Sequence, residues 1–340
     1  MIAALLTKLP ATNLEFAEFD EPVPGPGEVL VQVAACGICG TDLHVMAGQS
    51  YRPDLPFVLG HELVGTVVSA ADSAGGRWLG RRVVPTLFTG CGGCGPCRSG
   101  NERLCEHGAL VVGVVGRPGG FAGQVVLRAD QLVEVPTAIS DAVAASLVDA
   151  GATARNAVRS ALALAHHGEA RYLVIGGGPV GLLVSELLLS SGKEVVVVES
   201  NPLRRSLLAE RQLVVAPSLS EADGSFTTVI DCAGSPELVQ VALGLLRSRG
   251  LYLVVGYSTV PELDLSLVAR RELVLRGVRS GSRADLEDVI RLVSSGKVAP
   301  PPVTTWPLRC INEALLALRE GQVEGKAVVL NSVGPAAGTS

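Results

Sequence analysis

The chain has 340 residues, which at about 150 residues per domain suggests two domains. Apolar residues make up 48% of it and charged residues only 18%, a composition that excludes a disordered chain. The net charge of −5 comes from 28 basic and 33 acidic residues with no basic block, so we expect no nucleic-acid partner.

The amino-terminal part, up to about residue 135, is rich in Gly and Pro and predicts a β-rich domain. Valines at every second position of 28–35 have the period of a strand, and 62–70 and 80–86 are further strand candidates. We predict no helical run of note before about Ser140.

From Ser140 onward the pattern predicts helices that alternate with strands. Ser140 is a typical N-cap for a helix through Val148, and a second helix is predicted over 152–165. Residues 171–200 predict a strand, a Gly-rich turn, an apolar helix and another strand. The later candidates are strands at 227–234, 251–257, 273–278 and 323–330 and helices at 236–247, 284–295 and 311–320. Such alternation predicts a parallel, doubly wound sheet.

The sequence contains no candidate membrane span. Its longest stretch without a charged residue, Val83–Cys97, has 15 residues, whereas a spanning helix needs about 20. Residues 1–10 lack the basic and apolar regions of a signal peptide. We therefore expect a cytoplasmic protein without a membrane partner.

A dinucleotide-binding fingerprint lies in the second half of the chain. Gly176, Gly178 and Gly181 form G-x-G-x-x-G between a predicted strand and an apolar helix. Glycines there let a pyrophosphate approach the helix N-terminus, and the acidic Glu199 at the end of the next strand suits the ribose hydroxyls of NAD and repels the 2′-phosphate of NADP. The alternative is a purely structural turn.

Further candidates for the cofactor site flank this fingerprint and end the next two predicted strands. Arg204 and Arg205 either soften the preference for NAD or are solvated charges at a helix start. The candidates are Pro179, Val180, Arg204, Cys232, Ala233, Val255, Gly256 and Tyr257.

Four cysteines lie within 15 residues and have the spacing of a metal lobe: Cys91, Cys94, Cys97 and Cys105. Four thiolates around one ion are typical of a closed, structural zinc site. An iron–sulfur cluster and free thiols are the alternatives, although the common spacings of cluster ligands differ.

Two more motifs complete a resemblance. Cys39 lies in CGICGTDLH (36–44) and His61 in GHELVG (60–65). With the cysteine lobe and the Gly-rich turn in the same order, the chain resembles the zinc-dependent medium-chain alcohol dehydrogenases. The resemblance implies an α/β fold made of a GroES-like, β-rich catalytic domain and a doubly wound Rossmann domain. We predict the first over 1–150 and 281–340 and the second over 151–280.

The resemblance also implies a catalytic zinc ion, which makes two zinc ions per chain with the lobe. Its ligands would be Cys39, His61 and, from the segment SLVDAGAT, Asp149. Relatives have Cys, Glu or Asp at this third position, and Asp149 departs from the branch with cysteine and resembles the bacterial branch with aspartate. Glu62 would lie beside the metal. The alternatives are a surface carboxylate for Asp149 and a simple partner of a nearby base for Glu62.

The implied reaction moves a hydride between NAD and a secondary alcohol, a polyol or a cyclitol-like alcohol. Thr41 would contact the reacting oxygen, and His44 would take the proton on the solvent side by way of the cofactor ribose, a role as general base that histidine often has in enzymes. The alternatives are reduction of a C=C or C=N bond and a non-catalytic nucleotide-sensing or structural zinc protein. Most members of the family are homodimers or homotetramers.

Overall fold

The structure is a computed structural model that describes residues 1–164, 170–222, 224–257, 259 and 263–331. The contacts divide the chain into two units: Met1–Val148 with Pro302–Ser340, and Asp149–Pro301. Among the described residues, no helix combines the length and the apolar character needed to cross a membrane.

In chain order the strands of the described residues are β1 (Ile2–Leu6), β2 (Glu15–Glu18), β3 (Glu28–Ile38), β4 (Phe57–Val58), β5 (Glu62–Ala70), β6 (Arg82–Pro85), β7 (Phe88–Thr89), β8 (Leu110–Val112), β9 (Gly116–Arg117), β10 (Gln124–Arg128), β11 (Leu132–Glu134), β12 (Arg171–Ile175), β13 (Glu194–Val198), β14 (Val214–Ala216), β15 (Phe226–Asp231), β16 (Leu246–Val254), β17 (Val274–Gly277), β18 (Val303–Pro307) and β19 (Lys326–Leu330).

The α-helices are α1 (Gly40–Met46), α2 (Ser73–Gly76), α3 (Gly95–Arg98), α4 (Asp141–Leu147), α5 (Ala150–Leu164), α6 (Pro179–Ser190), α7 (Pro202–Glu210), α8 (Pro236–Gly244), α9 (Leu265–Arg270), α10 (Arg283–Ser294) and α11 (Ile311–Arg319). Short 3-10 helices cover Glu102–Leu104, Ala129–Gln131, Leu219–Glu221 and Leu308–Cys310.

The first unit is built on a sheet with the order β11-β6-β5-β3-β19-β18, in which β10 also pairs with β3. β3 is the longest of these strands, and its alternating valines are buried, as the sequence predicts. Two smaller sheets, β2-β1-β4 and β7-β8-β9, complete the unit. The predicted β-rich catalytic domain is therefore confirmed in architecture.

The prediction of no helical run before Ser140 is wrong, because α1 lies at Gly40–Met46. Only seven residues long, α1 has too few turns to show an apolar period, and the apolar side chains that it buries are Val45 and Met46. The predicted N-cap at Ser140 is confirmed: its side chain accepts a hydrogen bond from the backbone of Val143.

The second unit contains a six-stranded sheet with the order β14-β13-β12-β15-β16-β17, and each neighbouring pair is parallel. Numbered within the unit this order is 3-2-1-4-5-6, the order of a Rossmann fold. The doubly wound prediction is confirmed. Apolar side chains such as Phe226, Val229 and Leu243 form a core against the sheet.

The division by contacts differs from the predicted ranges in two places that group with the second unit: residues 149–150 and the segment 281–301. There α10 packs on α5, and Arg159 Nε lies 2.9 Å from Asp285 Oδ1. Arg155 also pairs with Asp288. These long-range ion pairs attach the helix to the second unit, and no local sequence pattern marks them.

Candidate active site and metal centres

Four side chains from distant parts of the sequence come together at one point: Cys39, His61, Glu62 and Asp149. One potential ligand atom from each lies within 4.8 Å of those of the other three. His61 and Glu62 are buried, and Cys39 and Asp149 are half-buried. The structure thus gathers the three ligands implied by the resemblance together with Glu62.

Cys39 is positioned by the start of α1, for which it is the N-cap residue. Its backbone N–H donates to Asp42 Oδ2 at 2.8 Å, and the N–H of Asp42 donates to the Cys39 carbonyl at 3.1 Å. This reciprocal pair fixes the first turn of α1. The Cys39 thiol lies next to the Thr41 hydroxyl, with 3.8 Å between Sγ and Oγ1.

Asp42 also contacts His61, a link that the sequence analysis missed. Its Oδ1 lies 3.5 Å from His61 Nδ1, and both side chains are almost fully buried. A carboxylate against one ring nitrogen fixes the orientation of a ligand histidine and leaves the other nitrogen for a metal. The signal in the sequence is the Asp of GICGTD, one residue after the threonine.

Lys326 is a second residue that the sequence analysis missed. Its ammonium group lies 2.6 and 2.5 Å from the two carboxylate oxygens of Glu62, and both side chains are buried. The pair fits because residue 37 is glycine: a Cβ there would lie 2.1 Å from Glu62 Oε2. Glu62 is therefore both the partner of a base and a member of the four-residue group.

Asp149 lies in the turn between α4 and α5, directly after the last residue of the first unit. Within the first unit, α4 packs on β3 and β5. Asp149 Oδ1 lies 3.2 Å from Thr153 Oγ1 and 3.4 Å from Ser280 Oγ.

The chemistry of this donor set fits zinc. A thiol, an imidazole and carboxylates are the groups that Zn²⁺ takes in catalytic sites, where three protein ligands leave one position open. Cys39 and Asp149 would supply two negative charges, and Glu62 is balanced by Lys326. The clustering within 4.8 Å supports the same conclusion.

Thr41 and His44 are three residues apart on α1 and therefore lie on the same side of the helix. Thr41 is half-buried next to Cys39, whereas His44 is exposed in the last turn. This gradient from a half-buried hydroxyl to an exposed base suits the movement of a proton outward.

The four cysteines of the lobe also converge. Two sulfur pairs, Cys91–Cys97 and Cys94–Cys105, are each separated by 4.0 Å, and one potential ligand atom from each residue lies within 4.8 Å of the others. Tetrahedral zinc with bonds of about 2.3 Å puts its sulfurs about 3.8 Å apart. The sulfur separations are therefore those of a metal site. All four cysteines are free, so the lobe contains no disulfide.

The backbone favours the thiolate form of two of these cysteines. Backbone N–H groups of Cys97 and Glu106 lower the pKa of Cys94 to about 6, and those of Cys91 and His107 lower the pKa of Cys105. Burial raises the pKa of Cys97 to about 12 in the absence of a metal. A bound zinc ion would supply the positive charge that the Cys97 thiolate needs.

In the second unit the Gly-rich turn has the geometry that the fingerprint predicts. Gly176 has a φ of +91°, and a Cβ at Gly181 would lie 1.8 Å from the Gly176 carbonyl oxygen. A Cβ at Gly178, the N-cap of α6, would meet no atom within 4 Å. The turn is thus tightly packed at Gly181, whereas Gly178 at the N-terminus of α6 faces free space that a ligand can occupy. Pro179 and Val180 form the first residues of the helix.

Glu199 follows β13 and is buried beside this turn. Its two carboxylate oxygens accept 2.7 Å hydrogen bonds from the backbones of Gly177 and Asn201. Each oxygen has a second lone pair for a ribose hydroxyl. Arg204 Nη1 lies 3.9 Å from Glu199 Oε2, and Arg205 donates to the Glu199 carbonyl, so neither arginine is a purely solvated charge.

The remaining cofactor candidates lie on two turns at the carboxyl ends of β15 and β16. The turns are in direct contact, since a Cβ at Gly234 would lie 2.8 Å from the Tyr257 carbonyl oxygen. Gly176 lies against the first turn, where its Cβ would meet Ala233 at 3.1 Å. Ligands of open parallel sheets bind at this edge.

Comparison with known proteins agrees with this arrangement. Residues 25–137 match the alcohol dehydrogenase GroES-like domain, and residues 207–329 match the zinc-binding dehydrogenase family. The first match covers Cys39, His61 and the cysteine lobe.

Relatives match along nearly the whole chain. An alcohol dehydrogenase of Geobacillus stearothermophilus is 30% identical over 93% of this chain and 95% of its own. L-galactonate-5-dehydrogenase of Escherichia coli is also 30% identical, over 86% and 88% of the two chains. The structure of acetophenone reductase from Geotrichum candidum in complex with NAD has a TM-score of 0.86 and 28% identity, over 97% of both chains.

The fold, the two clusters of candidate metal ligands and the relatives agree on one class of enzyme, whose cofactors are zinc and NAD. The chain belongs to the zinc-dependent medium-chain alcohol dehydrogenase family and is an NAD-linked alcohol dehydrogenase.

Proposed function

We propose that this enzyme interconverts a secondary alcohol, in particular one carbinol of a polyol or a cyclitol-like compound, and the corresponding ketone. The observation that best supports this proposal is that potential ligand atoms of Cys39, His61, Glu62 and Asp149 all lie within 4.8 Å of one another. The names of two relatives, a dehydrogenase acting at position 5 of L-galactonate and a reductase of the ketone acetophenone, support this substrate class.

In this proposal Cys39, His61 and Asp149 hold the catalytic zinc, and Asp42 orients His61. When bound, zinc lowers the pKa of the substrate hydroxyl and NAD accepts the hydride. Glu62 stays next to the site because Lys326 neutralises it.

Thr41 and His44 carry the proton. The Thr41 hydroxyl, 3.8 Å from Cys39 Sγ, accepts a hydrogen bond from the substrate hydroxyl and passes its own proton outward. His44 receives it at the surface, where the imidazole exchanges with water. The Cys91, Cys94, Cys97 and Cys105 lobe holds the second zinc and serves stability, since a closed four-thiolate site offers no position for substrate.

For the cofactor we assign the pyrophosphate to the N-terminus of α6 and the adenosine ribose to Glu199, which favours NAD over NADP. Arg204 lies close enough to Glu199 to weaken that preference. The residues proposed to contact the cofactor are Gly176, Gly178, Pro179, Val180, Gly181, Glu199, Arg204, Cys232, Ala233, Val255, Gly256 and Tyr257.

We further propose a cytoplasmic homodimer or homotetramer. β17 is one of the two edge strands of its sheet, and Val274 and Leu275 on it are exposed, which suits pairing with a second copy. All eight cysteines are free, as is usual in a reducing compartment.

Replacement of Thr41 tests the proposed proton path. Thr41→Ala should lower kcat by about 10²–10⁴-fold with little change in NAD affinity, whereas Thr41→Ser, which keeps the hydroxyl, should retain most activity. His44→Gln should cost about 10²-fold or less, because water reaches the exposed position, and its effect should shrink as the pH rises. Unchanged turnover in Thr41→Ala would favour reduction of a C=C or C=N bond instead.

A further inference from the structure

A buried acid–phenol pair lies beneath the two turns at the ends of β15 and β16. Asp231 is the last residue of β15, and Tyr252 lies in the neighbouring strand β16. The Tyr252 hydroxyl donates to Asp231 Oδ2 at 2.9 Å, and the two residues are 0% and 1% exposed. Neither belongs to the fingerprint, and the reaction described above uses neither.

The other carboxylate oxygen of Asp231 shapes the first turn. Oδ1 accepts hydrogen bonds of 3.0 Å from the backbone N–H groups of both Ala233 and Gly234. An aspartate whose carboxylate accepts hydrogen bonds from the backbone N–H groups two and three residues further along the chain closes an Asx-type turn. The direction of the chain after β15 therefore depends on the orientation of this carboxylate.

The main chain of Asp231 shapes the second turn. Its carbonyl oxygen accepts 2.9 Å hydrogen bonds from the N–H groups of Val255 and Gly256. The turns also touch, because a Cβ at Gly256 would lie 2.4 Å from the Gly234 nitrogen. A rotation of the Asp231 carboxylate would break its bonds to the first turn and, through the contact between the turns, would disturb the second.

Tyr252 is the group that prevents this rotation. Burial and the charge of Asp231 both raise the pKa of Tyr252 above its usual value, so the phenol keeps its proton and remains a donor. The parallel register pairs Tyr252 with Val229, two residues before Asp231, which puts the phenol and the carboxylate on the same face of the sheet. Without the phenol, Oδ2 would lose its only hydrogen bond described in this buried position.

We propose that Asp231 and Tyr252 are positioning residues that hold turns 232–234 and 255–257 in the shape that binds NAD. The inference rests on the proposed assignment of these turns to the cofactor. Both residues act through the backbone of the turns and neither touches the reacting atoms.

The test is the affinity of the zinc-loaded enzyme for NADH, measured by fluorescence titration. Tyr252→Phe removes one hydroxyl and should raise the Kd of NADH and the KM of NAD about 5- to 20-fold, since one hydrogen bond to a charged group is lost. The kcat at saturating NAD should stay within about twofold of wild type, because the zinc ligands and Thr41 are untouched.

Tyr172→Phe is the matched control. Tyr172 is also fully buried in this sheet, in β12, two strands away from β16. It pairs in register with Thr228, whereas Tyr252 pairs with Val229, so the two phenols lie on opposite faces of the sheet. This variant should bind NADH with the wild-type Kd to within about twofold.

A purely structural role would lower the folded fraction, seen by circular dichroism, and the apparent kcat while the Kd of the folded enzyme stays constant. That result, or equal Kd values for Tyr252→Phe and wild type, would overturn the proposal. If Tyr252→Phe fails to fold, Asp231→Asn, which exchanges the acceptor of the phenol for a donor, should show the same rise in Kd, and an unchanged Kd would overturn the proposal equally. A wild-type enzyme that binds no NADH would instead refute the proposed function itself.

Discussion

Removal of the Lys326 ammonium group is the change whose cost follows most directly from the structure. Lys326→Met keeps the length of the side chain and leaves Glu62 buried without its lysine. Breaking a buried ion pair from one side costs about 3–5 kcal/mol, because the remaining charge stays desolvated. We expect metal-free Lys326→Met to lose that much free energy of unfolding.

Zinc should reduce this loss. A cation held by the four ligand atoms would lie near the Glu62 carboxylate and would partly replace the missing ammonium group. The destabilisation should therefore be clearly smaller in zinc-loaded enzyme than in metal-free enzyme. The double variant Lys326→Met/Glu62→Gln, which removes the buried charge, should recover more than half of the loss.

Urea unfolding followed by tryptophan fluorescence measures this effect, since both tryptophans, Trp78 and Trp306, lie in the same unit as Lys326. Lys8→Met is the control: Lys8 is exposed, and its loss should cost less than about 0.5 kcal/mol. Equal effects of Lys326→Met and Lys8→Met would refute the reasoning, because the buried pair would then contribute nothing in solution.

Three further predictions test other parts of the molecule. Zinc-replete enzyme should contain two zinc ions per chain by elemental analysis and Cys97→Ser only one; two ions in that variant would rule out the lobe as a metal site. The kcat/KM for NAD should exceed that for NADP, and Glu199→Gln should lower the ratio of the two values. A wild-type preference for NADP would mean that attraction of the 2′-phosphate by Arg204 outweighs its repulsion by the Glu199 carboxylate. Asp285→Asn should destabilise the second unit by about 1–3 kcal/mol at pH 7. Burial alone would raise the pKa of Asp285. Hydrogen bonds from Arg159 and Ser282 outweigh this effect, so the pKa lies below its usual value. The difference between wild type and variant in urea unfolding should therefore be full above about pH 4 and shrink as the pH falls through the depressed pKa; a difference that grows on acidification would contradict this sign.

Local spacing was enough to predict the metal lobe and the cofactor turn. The cysteines lie within 15 residues, and the three glycines, the strand before them and the helix after them are contiguous. The residues of each motif therefore lie close together whatever the rest of the chain does. The sulfur separations of 4.0 Å suit a metal site, and the φ of +91° at Gly176 is one that glycine adopts readily.

The partners of the catalytic ligands could not be predicted in this way. Lys326 is 264 residues from Glu62 in the sequence, and the two meet because β19 and β5 pair with opposite sides of β3. Asp42 is close to Cys39 in the chain, but its contact with His61 depends on how α1 packs. Asp149 was found through the family resemblance rather than through spacing.

The most direct test of the central claim is NADH formation by zinc-loaded enzyme on a panel of secondary alcohols and polyols. We predict NADH formation with at least one of them, and its loss in Cys39→Ser, which removes a proposed ligand of the catalytic zinc. No NADH from any alcohol, together with consumption of NADH on C=C or C=N substrates, or full activity of Cys39→Ser, would contradict the account.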